Sequence, residues 1–482
     1  MPLPIISIAQ MREWETATWA HGVKESDVIR MAGYATAKMA EKMTQEGDAI
    51  LILAGKGHNG DDAEQAVQFV KNRSVGYHRI EDPINGEILF LESLKLKPKL
   101  IVDGLFGIGL NRNLSPSWIK FINEINQSGI EVLAVDVPSG LNADTGNPMG
   151  TAIKASITLC MGTVKWGLIS TKASPYVGRI EIAHPIGLVE CPFKSAVSWI
   201  SQEDFKFFPP KRAVLTHKGT YGHLYILAGS MGYHGASVLA ARGAQKACPG
   251  LITLCTDEQV YHSVASQLQS VMVYTWQSKR PIPPSTTAIL VGPGLASPDV
   301  PGTLIDQIRQ WWDYSPLPMV VDATALDWLP KHSSNSSAIR IITPHPGEAS
   351  RLLNISTEEI QNNRFIHHSK LSEIYGNAWV ILKGYLSIVG NSRRQFINPS
   401  GNPWLAQGGS GDILAGFLGG LIAQPNLATN PEKTISYAVW QHGATADFLT
   451  RQCNGFPWPI EKLLDFIGSV APILLPSAEN VV

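Results

Sequence analysis

Gly401-Asn402-Pro403-Trp404-Leu405-Ala406-Gln407-Gly408-Gly409-Ser410-Gly411-Asp412 runs without a break into Ile413-Leu414-Ala415-Gly416-Phe417-Leu418-Gly419-Gly420-Leu421-Ile422. This is a glycine-rich turn opening into an apolar segment. Ile413, Phe417 and Leu421 recur every four residues, as do Leu414, Leu418 and Ile422, so the run from Asp412 is expected to be a buried helix rather than a strand. Gly416, Gly419 and Gly420 lie inside it. Each interior glycine costs a helix roughly 1 kcal/mol against alanine, so three of them imply that neighbouring backbone comes close. Ahead of the helix, Gly408, Gly409 and Gly411 let the chain turn tightly and leave the first helical N–H groups bare at the positive end of the helix dipole. That is a cradle for an anion. Asp412 stands on its rim, where a carboxylate can take a proton from a hydroxyl attacking a bound phosphate. The competing reading is that Ser410 or Asp412 only caps an ordinary helix.

At 482 residues the chain exceeds a single ordinary core, and two or more domains are expected. Hydrophobic residues make up 44% and charged residues 16%, with a formal net charge of −1. That composition is soluble and globular, with no electrostatic pull toward nucleic acid or membrane. The five cysteines, Cys160, Cys191, Cys248, Cys255 and Cys453, are odd in number and lack C-x-x-C spacing. They argue against a disulfide framework or zinc site and for a reducing compartment. The amino terminus has no basic lead-in, and no segment approaches the roughly 20 apolar residues of a membrane helix. A cytoplasmic protein is expected.

In the amino-terminal half, residues 10–46 carry an amphipathic helical pattern with Met31, Ala35 and Met39 at four-residue spacing. Residues 49–54, Ala-Ile-Leu-Ile-Leu-Ala, form a continuous apolar run suited to a buried parallel strand. The turn Gly55-Lys56-Gly57-His58-Asn59-Gly60-Asp61-Asp62 follows, and helical spacing resumes from Ala63 to residue 71. Strand, glycine turn and helix begin a Rossmann-type unit, whose turns sit at the carboxyl ends of the strands where ligands bind. The pattern recurs where residues 100–103 lead into Gly104-Leu105-Phe106-Gly107-Ile108-Gly109-Leu110, and where residues 132–137 lead into Pro138-Ser139-Gly140-Leu141-Asn142. Asp103 and Asp136 should therefore lie side by side at one sheet edge with Asn59, an oxygen-rich cluster suited to a hard cation. Alternatively, each aspartate only caps the loop that follows it.

Residues 1–208 resemble the amino-terminal, YjeF-type NAD(P)H-hydrate epimerase domain. The Asp-x-x-x-Gly-x-Gly segment of that family is present at Asp103 through Gly109, and its Asp-x-Pro-Ser-Gly-Leu-Asn segment at Asp136 through Asn142. Where the family has Asn-Asn-Gly-Gly-Asp-Gly, this chain has His58-Asn59-Gly60-Asp61-Asp62-Ala63, and the stretch from Asp62 to Asp103 is shorter than usual by about one strand or helix. The resemblance implies potassium ligands at Asn59, Asp103 and Ser139 and an acid/base aspartate at Asp136. It places substrate contacts at His58, Asn59, Gly60, Asp61 and Asp62, and at Gly107, Ile108, Gly109, Leu110, Asn111, Arg112 and Asn113.

Periodicity lapses around Pro209-Pro210-Lys211-Arg212, which reads as a linker. Beyond it, strands are expected at residues 223–228, 251–255, 288–291, 319–321, 340–342 and 379–382, with a helix at 237–247. Nearly every strand ends in Gly, Pro, Asp or Lys, the loop chemistry of an α/β sandwich with its active edge on one side. The landmarks Gly292-Pro293-Gly294-Leu295, Asp322-Ala323-Thr324-Ala325-Leu326, Thr343-Pro344-His345-Pro346-Gly347-Glu348, Lys383-Gly384 and Gly408-Gly409-Ser410-Gly411-Asp412 resemble the ADP/ATP-dependent NAD(P)H-hydrate dehydratase of the ribokinase-like superfamily, over residues 212–478. Thr324 stands where that family commonly has aspartate. The fold implied is α/β in two domains, an amino-terminal Rossmann-like doubly wound sheet and a carboxy-terminal ribokinase-like sandwich. The resemblance implies hydrate contacts at Ala236, Gly294, His345 and Asp412. Nucleotide contacts fall on Lys383, Gly384, Tyr385, Leu386, Ser387, Gly409, Ser410 and Gly411.

No Gly-x-x-x-x-Gly-Lys-[Ser/Thr] loop occurs, so phosphate handling falls to the helix opening at Gly409. In the implied reaction Asp412 takes the proton of the hydrate's ring hydroxyl as it attacks the terminal phosphate of ADP or ATP. The phosphate ester then leaves and NAD(P)H is restored, with Mg2+ neutralising the nucleotide. His345, between two prolines, is either a structural turn residue or a ligand contact. Lys383 is either a solvated strand-end lysine or a phosphate cation, while His442 and Asp447 read as packing and surface residues. Two functions are carried forward. The first is nicotinamide nucleotide repair, joining dehydration of the S hydrate to interconversion of the R and S epimers by the amino-terminal domain. The rival is a ribokinase-like small-molecule kinase with a non-catalytic amino-terminal binding domain. The family resemblance also implies a homo-oligomer.

Overall fold

The computed structural model describes residues 2–278, 280–296 and 300–470, and the chain divides between Ser195 and Ala196 into two compact units. The first holds a six-stranded parallel sheet of β1 (Ala49–Ala54), β2 (Ser74–Arg79), β3 (Leu100–Gly104), β4 (Glu131–Val135), β5 (Ile157–Met161) and β6 (Arg179–Ala183), in the order β2-β1-β3-β4-β5-β6. Alternate residues of β1 point to opposite faces. Ile50, Ile52 and Ala54 pack with Ala63 and Ala66 of the helix His58–Phe69. Leu51 and Leu53 pack with Phe90 of the helix Pro83–Ser93 and Phe121 of the helix Pro116–Gln127. Helices therefore cover both faces, and the sheet is doubly wound.

The amino-terminal helical stretch is two helices, Ile8–Ala20 and Glu25–Met43, broken at Gly22, whose φ of 84° no helix accommodates. Between Asp62 and Asp103 the shortened segment still supplies the helix His58–Phe69, the strand β2 and the helix Pro83–Ser93. The β-α-β alternation is kept across it.

The second unit carries β7 (Val197–Trp199), β8 (His223–Leu227), β9 (Leu251–Thr256), β10 (Met272–Thr275), β11 (Ala288–Val291), β12 (Met319–Val321), β13 (Arg340–Ile342), β14 (Trp379–Leu382), β15 (Ile388–Gly390) and β16 (Gln395–Ile397). Their order is β7-β16-β15-β14-β13-β12-β11-β8-β9-β10. The strands from β14 through β10 in that order run parallel, while β15 is antiparallel to both neighbours. One face packs on the helices His234–Ala247, Ser410–Ile422 and Pro431–Gln452. The other packs on Gly302–Tyr314, Pro346–Leu353 and Arg364–Ile374.

The sequence-based boundary, 1–208 against 212–478, moves to Ser195/Ala196. The strand β7 pairs in parallel with β16 of the second unit, and Phe205 stacks on Tyr437 and Trp440 with ring centroids 5.5 and 5.2 Å away. The Pro209-Pro210 segment is thus a surface turn of the second unit. Residues 471–478 lie outside the described residues.

Candidate functional sites

In the second unit the helix Ser410–Ile422 starts from Gly409, whose φ of 92° is the left-handed conformation that glycine tolerates. Ser410, Gly411 and Asp412 form the first turn, and no side chain caps it. The N–H groups of Ser410 and Ile413 donate to Gln407 and Gly409. Among the described residues, those of Gly411 and Asp412 have no carbonyl partner. Two bare amides therefore point out of the helix as an anion cradle.

Three strand ends meet this turn. Asp322 follows β12, and its Oδ1 accepts from Thr343 Oγ1 (2.6 Å) and from Lys383 Nζ (2.8 Å), with Lys383 following β14. Lys383 Nζ also lies 3.7 Å from Glu348 Oε2. A Cβ on Gly411 would stand 3.5 Å from Lys383 Nζ and 3.8 Å from Asp322 Oδ2, which puts both groups at the cradle. Burial pushes the Asp412 carboxyl up to about 6, with the negative Asp322 and Glu348 adding to it and Lys383 opposing. Burial works against the Lys383 charge, yet Asp322 and Glu348 outweigh it and hold its pKa above the ordinary lysine value. Lys383 is therefore a partnered cation rather than a solvated strand-end lysine.

The other expected positions fall around this turn. Gly294 (φ 68°) and Ala236 are neighbours: a Cβ on Gly294 would lie 3.0 Å from Ala236 Cβ. The segment 383–387 follows β14, with Gly384 and Leu386 in the left-handed region and Ser387 Oγ donating to the Gly384 carbonyl (3.0 Å). The buried Arg364 secures it by donating to the carbonyls of Leu382 (3.2 Å), Lys383 (3.4 Å) and Tyr385. His345 is first a helix cap. Its Nδ1 accepts from the N–H groups of Gly347 (3.0 Å) and Glu348 (3.3 Å), and its Nε2 lies 3.4 Å from Glu348 Oε1.

Two residues read as packing or surface prove to hold the site. Asp447 accepts from Gly401 N (3.0 Å) and Asn402 Nδ2 (2.9 Å). His442 Nε2 lies 3.0 Å from the Ser410 carbonyl. Burial lowers the His442 pKa to about 4, so the ring is neutral and donates from Nε2. Neither partnership has a spacing signal, because helix and loop are joined only by the fold.

In the first unit, helix formation reaches back to His58 rather than starting at Ala63. Gly57 is the N-cap, so the expected contact residues 58–62 are the first helical turn. Gly60 fits there because a Cβ would come 2.0 Å from the Gly55 carbonyl. His58 is exposed, 3.4 Å from Glu25 Oε1. Asp61, the acidic departure from the family pattern, is held by Arg79 at 2.8 Å, which also binds Glu64. In the loop after β3, Gly107 sits against Asn59 and Leu110 N donates to Gly107 (3.3 Å). Ile108 and Leu110 turn to hydrophobic clusters, and Gly109, Asn111, Arg112 and Asn113 are exposed.

The expected oxygen cluster is divided. Asp103 accepts from Ser139 N (2.8 Å), Ser139 Oγ (2.6 Å) and Leu105 N (3.2 Å), while burial pushes its pKa up to about 6. Asn59 Nδ2 donates to the Phe106 carbonyl (3.0 Å), and its buried Oδ1 has no partner. Among the described residues, Asp136 shares no hydrogen-bond partner with that group. It accepts from Met161 N (2.9 Å) and from the fully buried Lys165, which also donates to the Met161 carbonyl (3.0 Å). Burial followed by the negative Asp136 raises the pKa values of Glu15 and Asp62. Lys165 is a site residue that the sequence reading lacked, and a lone lysine 29 residues beyond Asp136 gives no spacing cue.

A ribokinase-like sandwich whose glycine turn presents bare amides beside an acid and a paired lysine defines a nucleotide-using enzyme of small-molecule chemistry. The family model for NAD(P)H-hydrate dehydratase matches residues 224–461, and the one for the YjeF-related protein N-terminus matches residues 80–167. The bifunctional NAD(P)H-hydrate repair enzyme Nnr of Coxiella burnetii is 35% identical over 441 residues, covering 86% of this chain and 89% of that one. Its counterpart in Gloeobacter violaceus is 30% identical over 497 residues, covering 92% and 93%. The ADP/ATP-dependent NAD(P)H-hydrate dehydratase of Bacillus subtilis, co-crystallised with ATP and Mg2+, superposes with a TM-score of 0.50 at 27% identity, over 55% of this chain and 95% of its own. The chain belongs to the family of bifunctional NAD(P)H-hydrate repair enzymes.

Proposed function

We propose that the carboxy-terminal unit dehydrates the S epimer of NAD(P)H hydrate with ADP or ATP as co-substrate, and that the amino-terminal unit interconverts the R and S epimers. The observation that carries this reading is the Asp412 carboxylate beside two bare amides and Lys383. Asp412 takes the ring hydroxyl's proton as that oxygen attacks the terminal phosphate. The shortened nucleotide leaves, the C–O bond breaks with help from the ring nitrogen's lone pair to release phosphate, and the neighbouring ring carbon gives up a proton to the departing phosphate, restoring the dihydronicotinamide. Phosphoryl transfer depends chiefly on charge stabilisation, and each donor aimed at the developing charge is worth about 3 kcal/mol.

Asp322, Glu348 and Asp412 against one Lys383 leave an ionised surplus of two negative charges at the cradle, a setting that favours a nucleotide carrying Mg2+. The metal would neutralise phosphate charge. In the amino-terminal unit the unpartnered Asn59 Oδ1, with the Phe106 carbonyl and Ser139 hydroxyl beside Asp103, offers the neutral oxygen donors and single carboxylate that suit K+. The Asp136–Lys165 pair is the proton-handling group for epimerisation there. No helix among the described residues is long and apolar enough to cross a membrane, and we place the reaction in the cytoplasm with no nucleic-acid or membrane partner. Phe207, Val214 and Leu215, exposed apolar residues of the second unit, favour a homo-oligomer.

The test supplies hydrated NADH with ADP or ATP in turn and follows the absorbance of the restored dihydronicotinamide. Recovery with one nucleotide is expected. A stable phosphorylated alcohol without recovery overturns the dehydratase reading in favour of a kinase. An isolated racemic hydrate consumed only to half by the intact chain overturns the epimerase reading.

A further inference from the structure

Asp322 is almost wholly buried just after the end of β12. One oxygen, Oδ1, takes both donors, Thr343 Oγ1 at 2.6 Å and Lys383 Nζ at 2.8 Å, while Oδ2 faces the Gly411 turn. Lys383 is thereby tethered on the side of Asp322 and Glu348, and among the described residues no donor engages the Asp412 carboxylate. With Asp322 neutral, the ammonium beside Gly411 would be free to turn to the remaining carboxylates, Glu348 and Asp412. We infer that Asp322 is a positioning residue that keeps Asp412 a free and competent base, by holding the Lys383 ammonium off it and by setting a second negative charge beside it.

The inference rests on the dehydratase reading above and adds a residue to it. The charged and titratable groups around Asp412 are Asp322, Lys383, Glu348, His345 and His442. His442 is neutral and bonded to Ser410, and His345 is a cap with a lowered pKa, pulled down first by burial. After burial, the largest cause, it is the three charged groups that act on the proton affinity of Asp412. Asp412 is half-protonated near pH 6 in the ligand-free chain, and the acid limb of kcat against pH reads the same carboxyl with both substrates bound. Removing a neighbouring carboxylate lowers a carboxyl pKa, and removing a neighbouring ammonium raises it.

The experiment measures kcat for NADH-hydrate dehydration at saturating nucleotide from pH 5 to 8. Asp322→Asn should move the acid limb down by about half a unit or more and lower the plateau several-fold, with little change in KM for the hydrate. Asp322→Glu, which keeps the charge, should return the limb toward the wild type. Lys383→Gln should move it the other way. The nucleotide phosphates titrate in the same range, so each limb is compared with titration of the Asp412 carboxyl in the ligand-free variant. A limb that stays in place or rises in Asp322→Asn overturns the inference, and if that variant does not fold, an unmoved or lowered limb in Lys383→Gln does so. Absence of turnover in the wild type defeats the dehydratase reading itself. The charge relation is then decided by NMR titration of the Asp412 carboxyl in the same ligand-free proteins, where the same directions are required.

Discussion

A Cβ on Gly416 would stand 1.8 Å from the carbonyl oxygen of Ala240. The helix Ser410–Ile422 is in backbone contact with the helix His234–Ala247, and the contact is continued by Gly420 against Ala244 and Ala247 and by Gly243 against Ile413. Gly416→Ala should therefore destabilise the second unit. The helix-propensity gain of about 1 kcal/mol is overwhelmed by an overlap that only backbone movement relieves, with overpacking of this kind costing about 1–3 kcal/mol or more. The denaturant midpoint of the variant measures this, and a midpoint equal to or above the wild type would remove close packing as the reason for the glycine.

The period-four apolar pattern of 413–422 and the continuous runs of β1, β8 and β11 made the core of each unit legible, because buried helices and buried parallel strands write hydrophobicity directly into the chain. The strands without that signature were not read. β2, Ser-Val-Gly-Tyr-His-Arg, is a half-exposed edge strand, and β7 and β16 hold three residues each. The glycine turn and Asp412 were visible because a cradle is local in sequence. Lys165, Asp447, Arg79 and Arg364 were not, since each meets its partner from a different element. Asp136 could be placed at a sheet edge from its strand, but neither its left-handed backbone, φ 62°, nor its bond to Lys165 could be read from the sequence.

Asp412 links function to stability through pH. Burial raises its pKa from an ordinary 3.8 to about 6 in the folded chain, so the folded state binds this proton more tightly than the unfolded one. Its contribution is fully present below about pH 4 and is lost as pH rises through about 6. Asp412→Asn should consequently match the wild type in thermal stability at pH 4 and exceed it at pH 7.5, while dehydration falls by about 100-fold or more. Thermal melts at the two pH values check the first outcome. Unchanged dehydration would take Asp412 out of the mechanism.

The buried Asp136–Lys165 pair makes a different prediction. Removing one member leaves an uncompensated buried charge, which costs about 3–5 kcal/mol, whereas neutral replacements of both are far less damaging. Lys165→Met should destabilise the first unit strongly, and Asp136→Asn combined with Lys165→Met should recover much of the loss. Both should abolish epimerisation, followed as interconversion of the separated hydrates. If the double variant is as unstable as the single one, the pair is not acting through charge compensation.

Asp447 joins the helix Pro431–Gln452 to the loop that leads into the phosphate cradle. Its two oxygens take one donor each, Gly401 N and Asn402 Nδ2, and Asn402 Oδ1 in turn accepts from Trp404 N at 3.1 Å. Asparagine at this position keeps the shape but turns an amide toward one of the two donors, and a half-buried donor left without its acceptor costs about 1–3 kcal/mol. That cost falls on residues 401–404, which precede Gly408 and Gly409. Asp447→Asn should speed amide hydrogen exchange across 401–411 and raise the KM for nucleotide several-fold. The pH at which Asp412 titrates should not change, because Asp447 is not among the charges that act on it. Exchange rates identical to the wild type would show that the loop holds its shape through the Pro403–Leu405 turn and the packing of Gly443 against Ser400 without help from the carboxylate.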